Sequence, residues 1–158
     1  MYGIVEGVAG HAIWGSIMAF CRRMTGRRIQ ITHPRPQAAL TDPEGTGPWH
    51  HYPVRGTLGR LPANHEIWLL TEDEVTGRVW PQGFFRVQFD PHLKTWMGKI
   101  NGTSGPQVKI TAVLAPPTSQ DFFRYFQKVG GLRGHEYEPL NRIPVECTNR
   151  ASVQSRIP

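Results

Sequence analysis

Residues Ile4 to Phe20 read IVEGVAGHAIWGSIMAF, and CRRMTGRR follows directly. No other stretch restricts the fate of this 158-residue chain so strongly. It contains no proline, so nothing forbids a helix through it. At about 100° per residue, Glu6, His11 and Ser16 fall on three different faces. A surface helix gathers its polar residues on one face. This one is apolar nearly all round, which means burial in protein or in lipid.

The glycines and the flank favour lipid. Gly7, Gly10 and Gly15 each cost about 1 kcal/mol relative to alanine in a water-exposed helix. Membrane helices accept glycine because small residues let helices approach closely. Gly3 and Gly7 form a small-xxx-small pair, His11 lies one step further on that face, and Trp14 belongs to the same segment. Arg22, Arg23, Arg27 and Arg28 form a basic flank after it. Cytoplasmic flanks carry the Lys/Arg excess. Residues 1–27 are therefore read as a membrane helix with a basic exit, and residues 28–158 as a head on the cytoplasmic side. The span sits at the lower end of the range of about 17–25 residues that cross a bilayer.

Two other readings stay open. The helix could be the buried centre of a soluble homo-oligomer, or a processed targeting segment. The latter would want a positive n-region and a small-x-small cleavage site, and neither is present. Glu6 and His11 carry function if the helices cluster and turn them toward a polar interior. The plainer reading, preferred for Glu6, lets it reach water at the outer interface and leaves His11 as the buried polar group.

Seventeen glycines and 14 prolines, with 10% aromatics, suit short strands joined by turns. The net charge is +6, and the four flanking arginines account for most of it. A basic juxtamembrane cluster drawn to anionic lipid explains that charge, so no nucleic-acid surface is read. Cys21 and Cys147 are too few for a disulfide framework.

Strand signals then recur every 8 to 12 residues or so, the spacing of a sandwich. Arg28–His33 alternates, with Ile29 and Ile31 on one face, and Gln37–His51 reads as a long loop. Tyr52–Leu61 points Val54 inward, with Gly56 at a bulge or close approach. Glu66–Thr71 (EIWLLT) is apolar on both faces, so it is central and covered twice. Glu72–Gly77 turns the chain, and Pro81 confines Arg78–Gln82 to an edge. Phe84–Phe89 alternates with Phe85, Val87 and Phe89 together. Lys94–Ile100 follows, and Asn101-Gly102 opens a turn. Gln107–Leu114 aligns Val108, Ile110, Ala112 and Leu114.

A helix is predicted over 118–129, capped by Thr118 or Ser119 with Asp121 in its first turn. Its apolar face is read as Phe122, Phe126 and Val129, and Gly130-Gly131 stops it. It is expected to cover an end or edge of the sheets. Arg142–Cys147 and Ala151–Ile157 are read as a last strand or hairpin.

Chemistry finds little support. His50 and His51 would point to opposite faces of a strand. His65, His92 and His135 are scattered, and HExxH, CxxC, HxH, GxSxG and phosphate-cradling loops are absent. No metal, cofactor or catalytic residue is assigned. Cys147 reads as a small buried thiol, and Glu72-Asp73-Glu74 as a solvated hairpin tip. Asn101-Gly102-Thr103 is a glycosylation sequon, meaningful only in a secretory pathway. Trp80, Trp96 and Trp49 are candidates for a binding surface, because exposed tryptophan marks recognition sites. The preferred alternative packs Trp80 and Trp96 beneath the Phe122/Phe126 helix.

The pattern IWLLT, GRVWPQ, WMGKI and VKITAVLA resembles small bacterial β-sandwich domains of the immunoglobulin-like or fibronectin-like sort. It is carried by Ile67, Trp68, Leu69, Trp80, Pro81, Gln82, Trp96 and Gly98, over about residues 28 to 115. Some of those domains follow a short hydrophobic helix with an arginine-rich exit, as RRMTGRR does here. The antibody-type cysteine pair is missing, and a helix near the C-terminus is added. The resemblance implies a non-enzymatic recognition or accessory head, often beside a signalling or defence partner.

The expected architecture is thus an antiparallel immunoglobulin-like β-sandwich with an N-terminal hydrophobic helix and one short helix. The expected function is a membrane-associated recognition protein whose head docks a protein partner and whose helices self-associate. The alternatives are a soluble homo-oligomeric structural protein, and a metal-dependent enzyme or ligand-binding module.

Overall fold

The structure is a computed structural model that describes residues 28–41, 43, 50–83, 85–102, 107–132 and 139–157. The predicted N-terminal helix, with Gly3, Glu6, Gly7, His11, Trp14, Arg22, Arg23 and Arg27, lies outside the described residues, as does Trp49. Among the described residues, no helix is long and apolar enough to cross a membrane.

Among the described residues, eight strands and one helix follow in order. They are β1 (Gln30–His33), β2 (His50–Thr57), β3 (Glu66–Glu72), β4 (Val79–Gln82), β5 (Gln88–Asp90), β6 (Thr95–Gly102), β7 (Val108–Ala115), α1 (Pro117–Leu132) and β8 (Arg150–Ser155). The strands form two antiparallel four-stranded sheets, ordered β1-β2-β6-β5 and β4-β3-β7-β8.

The inner faces of the two sheets share one core. Tyr52, Val54, Trp96 and Ile100 of the first sheet pack with Ile67, Leu69, Ile110, Ala112, Leu114 and Val153 of the second. The alternation of β7 supplies three of these, as its sequence pattern requires. Gln82 ties the sheets together at their margin. Its Nε2 donates to Thr71 Oγ1 at 2.8 Å, and its Oε1 accepts from the Asn101 backbone N–H of β6 at 2.9 Å. Gly56 is a close approach, as predicted. A Cβ there would lie 2.0 Å from the Gln30 carbonyl oxygen and 2.2 Å from the Trp96 indole.

β3 is central and covered on both faces, as EIWLLT predicts. Ile67 and Leu69 face the inter-sheet core, while Trp68 and Leu70 face a second cluster built on Phe123. β7 does the same with Val113 and Ala115. Pro81 does put β4 at an edge.

Six expectations need correction. Of the described residues in the expected strand Phe84–Phe89, only Gln88 and Phe89 are strand, because Phe85 turns outward to meet the His51 ring at 4.8 Å and the Lys99 ammonium at 5.0 Å. Asn101 and Gly102 belong to β6, paired with His51 and His50, rather than opening a turn. Helix α1 covers the outer face of the β4-β3-β7-β8 sheet, not an end or edge. It starts at Pro117, a residue preorganised for a first helical position, and runs through Gly130 and Gly131 to Leu132. Its buried face centres on Phe123, which is 0% exposed, whereas Phe122 is 42% exposed. Finally, residues 142–147 form no strand. Ile143 and Cys147 pack into the helix-side cluster, so this segment lies across the sheet face rather than along an edge.

Candidate functional site

The way α1 is pinned decides which residues are left on its flank. Phe123 packs against Trp68, with ring centroids 5.1 Å apart. Gln120 Nε2 donates to the carbonyls of Asn64 at 2.7 Å and Ala115 at 2.9 Å, which fixes the first turn. Arg124 Nη2 donates to both carboxylate oxygens of Glu66 at 2.8 Å. The same carboxylate accepts from Arg86 at 2.7 Å and from the Trp68 indole N–H at 3.2 Å. With the helix held this way, Phe122 and Phe126 sit on its side, 4.9 Å apart and edge to face.

The segment after α1 faces that side. Leu140 exchanges two backbone hydrogen bonds with Val79, at 3.0 and 2.7 Å, adding one rung to the outer edge of β4. Between this rung and the helix lies an open groove of about 590 Å³. Phe122, Phe126, Pro139 and Leu140 make it apolar, and Arg78 and Arg142 rim it. A second hollow of about 360 Å³ shares Asn141 and Arg142 with the first. It runs over the sheet surface at Glu72, Lys109, Thr111, Arg150 and Ser152. There Lys109 Nζ pairs with Glu72 at 2.9 Å, and the Thr111 and Ser152 hydroxyls bond at 2.8 Å.

The two hollows together bring four cations, Arg78, Lys109, Arg142 and Arg150, against the single carboxylate of Glu72. Glu72 already engages Lys109. Among the described residues, Arg78, Arg142 and Arg150 have no carboxylate within 4.0 Å. Guanidinium groups of this kind bind carboxylates or phosphates in a fork geometry. An apolar floor beside them suits a ligand that is anionic at one end and greasy at the other. The volumes lie within the range of about 300–1,000 Å³ typical of ligand clefts.

The Arg142 groove occupies the half of the domain away from Ile29, whereas the second hollow reaches back to Arg150, next to Asn149. Ile29 N–H donates to Asn149 Oδ1 at 3.1 Å, and Asn149 O accepts from Leu114 N–H. Leu114 pairs with Ile67, so the chain joins the fold at the Glu66 end of β3. Val79 and Arg78 lie at the opposite, Glu72 end. Six strand steps separate the ends, roughly 20 Å.

The sequence-predicted residues are not gathered at this groove. Arg28 is exposed where the described chain begins. Trp96, at 2% exposure, lies in the inter-sheet core and donates its indole N–H to Thr57 O at 3.3 Å. It is neither surface nor beneath the helix, because inward alternation on β6 aims it at Gly56. Trp80 is half-buried at the margin of the inter-sheet face, opposite Thr71.

His51 bonds Asn101 Oδ1 at 2.7 Å and His65 bonds the Ala63 carbonyl at 2.9 Å. Among the described residues, no three or more His, Cys, Asp or Glu side chains are grouped to hold a metal. Cys147 is a buried free thiol. Burial pushes its pKa up, with the neighbouring Ser119 hydroxyl pulling the other way.

Sequence reasoning missed Arg78, Arg142 and Arg150. It also assigned Phe122 to the buried face, whereas Phe126 is partly buried against the helix-side cluster as expected. A usable signal was present in Phe122-Phe123-x-x-Phe126. Adjacent aromatics on a helix point about 100° apart, so one of the first two must leave the buried face. Comparison with known protein families, curated proteins and solved structures gives no match for this chain.

Proposed function

We propose that this chain is a membrane-associated recognition protein, with no reaction of its own, whose β-domain docks a partner in the Arg142 groove. The observation that carries this reading is position. The groove lies at the end of the sandwich opposite Ile29, near the first described residue. A head tethered at residue 28 would hold that groove away from the bilayer and toward a partner. Ile4–Phe20 and the arginines behind it supply the tether, and anionic lipid its electrostatic counterpart.

The strand orders support a finer fold assignment within the same proposal. With the strands lettered in chain order A, B, C, C′, D, E, F and G, the sheets read A-B-E-D and C′-C-F-G. That is the partition of immunoglobulin-type sandwiches. Such a fold hosts many functions, so the recognition role rests on the groove and not on the fold.

Carbonate extraction of membranes tests the tether with the full chain. The full chain is expected to stay in the pellet. Ile13→Lys with Ile17→Lys is expected to release it, since each lysine costs about 2.5 to 3.5 kcal/mol at the centre of an inserted helix. Release of the unaltered chain into the supernatant would overturn the membrane-associated reading.

A further inference from the structure

We propose that the two adjoining hollows form one site for an extended acidic peptide segment that carries a bulky apolar or aromatic side chain. This rests on the recognition reading above and names its ligand class. The apolar side chain lies against Phe122 and Phe126, and the acidic side chains lie over Arg142 and Arg150.

Charge argues first. Arg142 and Arg150 face the hollows without a carboxylate partner among the described residues, Arg78 has the Asp73 carboxylate in electrostatic reach, and the one carboxylate lining the hollows is engaged by Lys109. Among the described residues, an incoming carboxylate therefore meets the Arg142 and Arg150 guanidinium groups with no carboxylate paired to them. Shape argues second. Phe122 is exposed on the helix side of the first hollow, Arg142 lies on the segment facing it, and Arg142 lines both hollows. A ligand that touched only the cations would leave the aromatic wall wet, and one that touched only the wall would leave the arginines unused. A peptide can present both chemistries within a few residues.

Nucleic acid fits less well. Single strands are tracked by cations repeated along a groove with flat stacking platforms. Here the arginines surround two short hollows, and the apolar wall is shared by Pro139 and Leu140 with the edge-to-face Phe pair.

Fluorescence anisotropy of the full chain provides the test, with four labelled probes. These are a random Glu/Tyr copolymer, polyglutamate, a Lys/Tyr copolymer and an oligothymidylate. The Glu/Tyr copolymer is expected to bind best, about tenfold tighter than polyglutamate, the scale of one well-placed aromatic contact. Phe122→Ala is expected to remove that advantage, and Arg142→Glu to abolish binding of both acidic polymers. Both residues are exposed, and thermal melts confirm that each variant folds.

Equal binding of the two acidic polymers, or indifference to Phe122→Ala, would overturn the ligand class. So would a preference for oligothymidylate. If either result still depends on Arg142, the recognition reading stands without this ligand. If Arg142→Glu changes the binding of no probe, the groove reading falls as well.

Discussion

The two sheets share an inner core but treat their outer faces in opposite ways. On the β4-β3-β7-β8 sheet the outer face is apolar at Trp68, Leu70, Val113 and Ala115, and α1 and the 140–147 segment lie over it. On the β1-β2-β6-β5 sheet the outer positions are His51, Arg55, Met97 and Lys99, with Pro53 buried among them, and among the described residues no helix covers them. A flat, polar sheet face needs no cover and offers few crevices. An apolar face must be covered, and a cover made of one helix and one irregular segment cannot close without seams. The groove at Arg142 is such a seam. The asymmetry between the faces therefore determines where a binding site can form.

The largest effect that would break this contrast comes from Phe123. It is fully buried under α1 against Trp68, so Phe123→Ala is expected to cost about 3–5 kcal/mol in denaturant unfolding. Its counterpart on the bare face, Met97, is 43% exposed. Met97→Ser is expected to stay within about 0.5 kcal/mol. Similar costs at both positions would mean that something covers the bare face too.

Gly56 comes next and tests the shared core rather than either outer face. A methyl group there would collide with the backbone oxygen of Gln30 and with the buried Trp96 ring, neither of which can retreat. Gly56→Ala is expected to destabilise by about 1–3 kcal/mol, the usual range for overpacking. A neutral result would show that β1 can slide off β2.

The smallest effect concerns the hairpin beside the covered face. Asp73 accepts from the Val75 backbone N–H at 2.8 Å, which holds its carboxyl below the usual carboxylate range, and the Thr76 hydroxyl at 3.1 Å adds to this. A carboxylate depressed in the folded state contributes stability above its unfolded pKa. That contribution disappears as pH falls through the folded value. Asp73→Asn is therefore expected to melt slightly earlier at neutral pH and to converge with the parent protein below about pH 4. A constant offset down to strong acid would contradict this.

Much of the layered plan was legible. EIWLLT has no polar face, so β3 had to be covered twice, and Pro81 could stand only at an edge. VKITAVLA aligned the inner half of β7, although its outer half, Thr111, Val113 and Ala115, is buried as well. What failed was the choice between equivalent apolar groups. Phe122 and Phe123 have the same chemistry, and only the Trp68 surface and the Gln120 bonds choose between them. Phe85 alternates correctly with Val87 and Phe89, yet a cation and an imidazole on the outer face hold it there. The groove was illegible for a related reason. Arg78, Arg142 and Arg150 are separated by at least one intervening element or loop; the Leu140–Val79 bonds bring Arg142 toward Arg78, and the pairing of β8 with β7 places Arg150.

The most direct measurement sets one arginine from each outer face against the other. Arg142→Glu changes the seam on the covered sheet, and Arg55→Glu changes the bare sheet by the same charge. Binding of the labelled Glu/Tyr copolymer to each full-length variant reads the outcome. Loss with Arg142→Glu and near-parental affinity with Arg55→Glu is the expected result. Equal losses would reduce the interaction to overall charge, and loss with Arg55→Glu alone would move the binding face to the bare sheet.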